Sequence, residues 1–584
     1  MAFHTIQPFQ YVALRLPNDH TKVEHILPNT LINLGKYGSF HANSIIGRPY
    51  YATFEIYDRS EVKDGRELRI VPAAELHAIA LVEQAEMEDV STPGDETGAQ
   101  STPKSNVNTH DDPTNQKLTM AEIEALKQSD MGSGKELIEK IMQSHSTLDQ
   151  KTAFSLAKYT LRKHKKYLKR FCVLPLDVST LVDWMMADRD FAKVMELRNE
   201  AVGLMGCWAN VHAGGQDVSL PETDPSSRYL IVDDTGGLVV AAMAERMGIL
   251  HQMNFQVDKV RDGDEDLDPE AEFDQTGLTL SDKPKRQQYR PSAMSAKSNC
   301  ITVVHGNQQP NLALLRYFNF DFNNPTPSHL LYTSLKTLSW LQLLEPQSDT
   351  TYREPEVIPP EELAKAKSNK RSAYYRKRRR WERVHNIVDE TQKGGFNGLV
   401  VASYTDPVSI LRHLVPLLAG GAQVVVYSPS IEPLITLADY YSTARRTAFQ
   451  TRPEDQRQVP SKDFPLDPTL LLTPTVQTAR VRQWQVLPGR THPLMTGRGG
   501  AEGYIFSATR VLPAEGRVEA RGRPPRGKKA KAETPGTPAS LEDAPPHSPL
   551  KKQKTEPSSD LPVTVEASVD SSKQESDVEM KTEI

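Results

Sequence analysis

The sequence predicts an α/β chain preceded by a small all-β domain, the two joined by a basic helical connector. Three observations carry this. Within residues 9–72, the runs FQYVALRLP, KVEHILP, LGKYGSFHA and YYATFEIYD alternate apolar and polar residues between Gly or Pro turns. Residues 396–429 read strand, helix, strand, with the near-continuous Val/Leu content of parallel strands covered on both faces. Between these regions, residues 116–171 carry capped helical patterns rich in Lys and Arg.

Taken in order, residues 1–83 form the β domain, whose regular strand spacing suggests a small barrel or sandwich. Residues 84–115 are a polar linker poor in apolar side chains, as in segments that cannot offset their ordering entropy. The connector spans 116–211. Thr119 and Glu122 have capping-box spacing, and GKELIEKIMQSH and KTAFSLAKYTLRKHKKYLKRF read as further helices. The α/β domain spans 228–512. It opens with RYLIVDDTGGLVVAAMAERMGIL, a strand, a Gly turn and an amphipathic helix, and continues through ITVVHG at 301–306. FNGLVVAS, PVSILRHLVPLLAGG and AQVVVYSP follow, and TLLLTPTVQ with GYIFSATRV supplies an antiparallel closing pair. Disordered inserts are expected near 252–298, 345–370 and 445–465, and a low-complexity tail over 513–584.

Composition narrows the chemistry. Cys172, Cys207 and Cys300 lie far apart, which excludes a disulfide framework or a cysteine-rich zinc module. No uninterrupted apolar run reaches the roughly 18 residues of a membrane span, so a soluble, intracellular chain is expected. None of the His residues has metal-ligand spacing, and Gly132-Ser133-Gly134-Lys135 lacks the length and strand context of a phosphate loop. Asp406, before Pro407, reads as a helix N-cap rather than a catalytic carboxylate.

A nucleotide-type cofactor needs small residues in the turn after the first strand and an acid at the end of the second. Here the turn is Asp234-Thr235-Gly236-Gly237, followed by Leu238 and Val239. The second strand ends in Val304-His305-Gly306-Asn307, without a carboxylate. Both features argue against cofactor binding.

The net charge of -5 hides local segregation. Lys158 to Arg170 holds seven Lys/Arg and no acid, interleaved with Tyr159 and Tyr167, a density that suits RNA phosphates and bases. Lys370 to Arg383 sets Tyr374, Tyr375 and Trp381 among arginines; RNA contact and a nuclear import signal are both open there. The segment Arg490 to Gly500 reads as a loop suited to phosphate contact.

These motifs, in this order, resemble the non-catalytic subunit of the eukaryotic tRNA 1-methyladenosine methyltransferase. The resemblance rests on YVALRLPN, Gly35 to Phe40, Gln116 to Thr119, KKYLKRF at 165–171, Gly237-Leu238 with AMAERMG, GLVVAS, and RQWQVLPGRTHPLM before GYIFSATRV. It implies a small β-barrel-like domain before a degenerate Rossmann-like methyltransferase fold that binds no cofactor. S-adenosylmethionine and catalysis then belong to a homologous partner subunit, two of each forming a heterotetramer that modifies T-loop position 58 of tRNA. By position it implies tRNA contact at Gln116, Lys117, Lys165, Lys166, Arg170, Arg198, Arg376, Arg380, Arg490, His492 and Arg498. A nuclear location is expected, with Arg526 to Lys529 and Lys551 to Lys554 as import signals. On the residues alone, an active methyltransferase with an unusual cofactor turn and a general RNA-binding scaffold stay open.

Overall fold

The computed structural model describes residues 5–58, 66–76, 115–129, 134–148, 151–214, 227–251, 299–487, 490–495 and 498–512. The expected linker (but for Asn115), the insert near 252–298, the tail and its basic clusters lie outside them.

The alternating amino-terminal runs form β1 (Tyr11–Arg15), β2 (Thr21–His25), β3 (Leu31–Asn33), β4 (Ser39–His41), β5 (Thr53–Asp58) and β6 (Arg66–Ile70). Helices α1 (Met120–Ser129), α2 (Lys135–Gln143) and α3 (Ala153–Tyr167) follow, then β7 (Arg170–Pro175). The capping box is present: Glu122 N–H donates to Thr119 Oγ1 at 3.3 Å and Thr119 N–H to Glu122 Oε2 at 2.8 Å. The five-stranded sheet has the order β2-β1-β7-β5-β6, so β7 sits at its centre although it follows the connector helices. The helix expected to run through Phe171 therefore ends at Tyr167. The run RFCVLP is β-prone, and its Phe171 and Val173 pack into the β-domain core, Phe171 stacking on Phe40 at 4.6 Å. A closed barrel is not what the pairing gives: among the described residues β2 and β6 are edges, and β3–β4 is a separate two-stranded ribbon.

The α/β part contains α4 (Val178–Ala187), α5 (Asn199–Trp208), β8 (Ser227–Asp233), α6 (Leu238–Arg246), β9 (Asn299–His305), α7 (Leu331–Ser334), β10 (Leu335–Ser339), α8 (Trp340–Leu344) and α9 (Pro360–Lys365). It continues with α10 (Ser368–Gln392), β11 (Phe396–Ala402), α11 (Pro407–Leu414), β12 (Leu418–Ser428), α12 (Glu432–Tyr440), α13 (Thr443–Thr451), β13 (Leu471–Gln477), β14 (Trp484–Leu487), β15 (Arg490–Pro493) and β16 (Tyr504–Arg510). The seven-stranded sheet has the order β10-β9-β8-β11-β12-β16-β13. Its strands run parallel except β16, which is antiparallel to both neighbours. Residues 345–370 and 445–465, expected as disordered inserts, instead hold α9, α13 and two short 3-10 turns. Leu363 and Phe449 are buried there, so even these polar stretches have an anchor.

Alternate residues of each strand feed opposite layers. Ile231, Val400 and Val425 join α6 on one side; Val232, Val401 and Val426 join the layer containing Ile410, Leu411 and Leu437 on the other. Helices α4 and α5 pack on α6, which is why α6 is buried all round rather than amphipathic. The expected connector therefore divides: α4 and α5 belong to the α/β core. Ala13 and Leu174 also reach that core, so the centre of the β-domain sheet is covered on both faces.

Candidate nucleic-acid interface

The turn after β8 is closed by the chain itself. Asp233, buried, accepts from Thr235 N–H at 2.6 Å and from Val240 N–H at 3.0 Å, so its carboxylate ties the turn to the first turn of α6. Burial pushes this carboxyl up against the pull of those hydrogen bonds. Gly236 and Gly237 have φ of +76° and +93°, which favours glycine. The close backbone approach they permit is made by protein. A Cβ at Gly237 would stand 3.0 Å from Leu312 Cα, and Leu314 N–H donates to Gly236 O at 3.0 Å. At the end of β9, His305 places Nδ1 2.8 Å from Asn307 O, and burial pushes its pKa down. These residues do not fit S-adenosylmethionine: Leu312 and Leu314 cover the glycine turn, and a neutral imidazole stands where ribose hydroxyls want a carboxylate.

The remaining loops at the carboxyl ends of the strands are cross-braced. Asp234 accepts from Tyr404 N–H at 3.0 Å, and the Tyr404 hydroxyl donates to Ala192 O at 3.0 Å. Arg198 Nη2 donates to Gly499 O at 2.6 Å and to Ala501 O at 3.2 Å, and its Nε is buried without a partner. Arg498 Nη1 donates to Ala187 O at 2.8 Å and to Arg189 O at 3.3 Å. Both arginines thus hold the 498–501 loop against the loops flanking α4 and α5. The segment expected as one loop from Arg490 is in part a hairpin: Arg490 pairs with Leu487, and His492, half-buried, with Gln485. The Arg490 side chain lies outside the described residues.

Arg170 does not join the basic helix. It is 7% exposed, in β7, with Nε donating to Glu55 Oε1 at 2.9 Å and Nη2 to Glu75 Oε1 at 3.2 Å. The structure thus places Arg170, expected among the tRNA contacts, in an internal ion pair, because the strand transition there turns it inward. Lys165 pairs with Asp19 at the surface, while Lys166 is exposed. Lys158 and Arg162 are exposed too and lie four residues apart on the same face of α3 as Lys166, a row that helical spacing would have found. The tyrosines expected to stack on bases are structural. Tyr167 is buried beside Ile138 and Ile141; Tyr159 meets His145 edge-on at 5.1 Å and carries Lys163 over its ring at 4.7 Å. Burial, and next the Lys166 charge, push the Lys163 ammonium down.

Gln116 bonds Ser144, its Oε1 buried and unpartnered, and Lys117 extends into solvent. Arg376 and Arg380 lie exposed on α10, the 25-residue helix that leads into β11. The structure divides the sequence-derived residues among the α1–α3 bundle, the braced 498–501 loop and α10, with Arg490 and His492 apart in the β14–β15 hairpin and Arg170 in β7. Among the described residues there is no group of three or more His, Cys, Asp or Glu placed to hold a metal ion, and no helix long and apolar enough to cross a membrane.

Strand order and closed turn together define a methyltransferase-type α/β chain in which protein occupies the cofactor turn and exposed cations are carried on α3 and α10. The description "Gcd10p family" fits residues 5–367, and the chain belongs to that family. It is 53% identical over 552 residues to the tRNA (adenine(58)-N(1))-methyltransferase non-catalytic subunit trm6 of Aspergillus fumigatus, covering 90% of this chain and 95% of that protein. It is 29% identical over 550 residues to the protein of the same description in Schizosaccharomyces pombe, covering 92% and 99%. Among solved structures, the tRNA (m1A58) methyltransferase TrmI from Aquifex aeolicus aligns with 87% of this chain and 100% of its own at 8% identity, with a TM-score of 0.34.

Proposed function

We propose that this chain is the non-catalytic, tRNA-binding subunit of a heteromeric methyltransferase that makes 1-methyladenosine in the tRNA T-loop at position 58. The observation that carries the reading is the glycine turn, which Leu312 and Leu314 cover while Lys158, Arg162 and Lys166 face solvent. The names of the relatives support the same division of labour. The homologous partner subunit holds S-adenosylmethionine and transfers the methyl group; two copies of each assemble around tRNA, in the nucleus. The β-domain sheet and the α1–α3 bundle supply binding surface and leave the chemistry to the partner.

The complex tests this directly. Photo-crosslinking with labelled S-adenosylmethionine should mark the partner alone, and native mass should give two copies of each chain. Label at Asp234 to Gly237, or turnover by this chain without a partner, would instead make it an enzyme.

A further inference from the structure

The outward half of α10 carries a row of arginines of which the fold uses only one, Arg380, whose charge reaches Asp349. Arg376, Arg379, Arg380 and Arg383 follow the i, i+3, i+4, i+7 pattern of one helical face and are all exposed. The opposite side holds the helix down. Trp381 Nε1 donates to Tyr352 O at 3.0 Å and its ring stacks on His385 at 5.3 Å; the Tyr352 hydroxyl donates to Asp389 Oδ1 at 3.0 Å, and Val388 is buried. The arginine row is therefore a fixed face rather than a set of free side chains.

A merely solvated face would mix signs. Glu382 is the single acid between Lys370 and Arg383, and it pairs with Arg378 at 3.4 Å. Arg376, Arg379 and Arg383 have no carboxylate partner among the described residues, while the Arg380 charge is partly met by Asp349, whose pKa it helps to lower. Like charges at this spacing repel one another and weaken the helix unless anions cover them, and three of the four have none. The aromatics of the cluster are engaged away from the arginine positions: Trp381 donates to Tyr352 O, and Tyr374 accepts from Arg378 at 3.3 Å and meets the Tyr375 ring at 5.5 Å. The row extends about 10 Å along the helix axis, long enough to meet more than one phosphate.

We propose that this row binds the phosphate backbone of a base-paired tRNA stem, reading charge and shape rather than sequence. The proposal rests on the tRNA-binding reading above and adds the part of the RNA that is held. A helical Lys370–Arg383 segment also sets it apart from an extended import signal.

The test uses the assembled complex carrying Arg376→Gln, Arg379→Gln, Arg380→Gln and Arg383→Gln together, since Gln keeps helix propensity. Co-purification and circular dichroism establish that assembly is intact. Affinity for a tRNA transcript and for a short blunt RNA duplex should fall about tenfold or more, and the log–log salt slope should drop by about two to four. The matching four-fold Arg→Lys variant should keep the slope.

An unchanged slope on both RNAs, a loss confined to single-stranded oligouridine, a loss with Lys as well as with Gln, or impaired nuclear import with RNA affinity intact would each overturn the proposal. If Arg162→Glu with Lys166→Glu on α3 weakens tRNA binding and the α10 variant does not, this proposal fails and the tRNA-binding reading stands. If neither variant weakens it, both fail.

Discussion

Arg170 separates an internal ion pair from an RNA contact. Its side chain is 8% exposed and meets Glu55, whose carboxylate is 0% exposed, at 2.9 Å. Replacing it with Met keeps the apolar stem and removes the guanidinium. Removing one partner of a buried pair costs about 3–5 kcal/mol when the surviving charge is left alone. Glu55 is not left alone: Arg69 donates to it at 2.8 and 3.2 Å, and Lys135 stands 4.0 Å away. The loss of one charge-assisted hydrogen bond then sets the scale, so Arg170→Met should cost about 2–3 kcal/mol.

Hydrogen exchange reads this locally. The opening free energy of amides in β5 and β7 should fall by that amount, while α11 and β12 stay unchanged. Because Arg170 and Glu55 act as one unit, Glu55→Gln with Arg170→Met should cost less than the sum of the two single changes. The salt slope of tRNA binding, measured on folded complex, should not move. Opening energies within about 0.5 kcal/mol of wild type, with a salt slope lowered by about one, would refute the reasoning and return Arg170 to the RNA surface.

The other expectations are simpler. Arg162→Glu with Lys166→Glu should weaken tRNA binding and flatten its salt dependence without loss of assembly, read by filter binding across salt; Lys165→Glu should do less, since Lys165 already faces Asp19. Gly237→Ala should lower the melting temperature more than Gly35→Ala. Both have left-handed φ, but only Gly237 has a neighbour, Leu312 Cα, at 3.0 Å from the added methyl. His329 is buried between Phe318 O at 3.1 Å and Leu331 N–H at 3.1 Å, and burial lowers its pKa to about 4. The unfolded chain then binds the extra proton between about pH 6.5 and 4, so stability is complete above that window and falls by roughly 3 kcal/mol through it on acidification. His329→Gln should flatten that part of a pH–denaturation profile.

Legibility from sequence followed the kind of signal each residue carries. Strands β8, β9, β11 and β12 were readable because both faces are buried and their Val/Leu content is continuous. Strand β10 was not, since its pattern LKTLS buries only Leu338 at the sheet edge. Strand β7 was missed because helical periodicity in KYTLRKHKKYLK runs straight into it, and only its pairing with β1 and β5 reveals the change. Asp406 was legible as a cap: it accepts from Val408 and Ser409 N–H at 3.3 Å. Charge density pointed to α3 and α10 but not to which cations face outward; Arg170, Arg198 and Arg498 make internal bonds that depend on residues up to about three hundred positions away.

Closing the cofactor turn has a structural consequence for the loops around it. In an open α/β sheet ligands bind in the crevice outside the carboxyl ends of the strands. Here protein supplies the contacts: Leu314 to Gly236, Tyr404 to Asp234 and Ala192, Arg198 to Gly499 and Ala501, and Glu196 accepting from Ala501 N–H at 2.8 Å. Asp234, Glu196, Arg198 and Arg498 at that end are all engaged in bracing. Helix α10 joins the sheet at the other end, ahead of the first residue of β11, and its arginine row is held by contacts of its own, Trp381 to Tyr352 O and the Tyr352 hydroxyl to Asp389. The contacts that close the cofactor turn and those that fix the arginine row are therefore separate sets of residues, so a change that opens the turn at Asp234 or Gly237 should leave the α10 face in place.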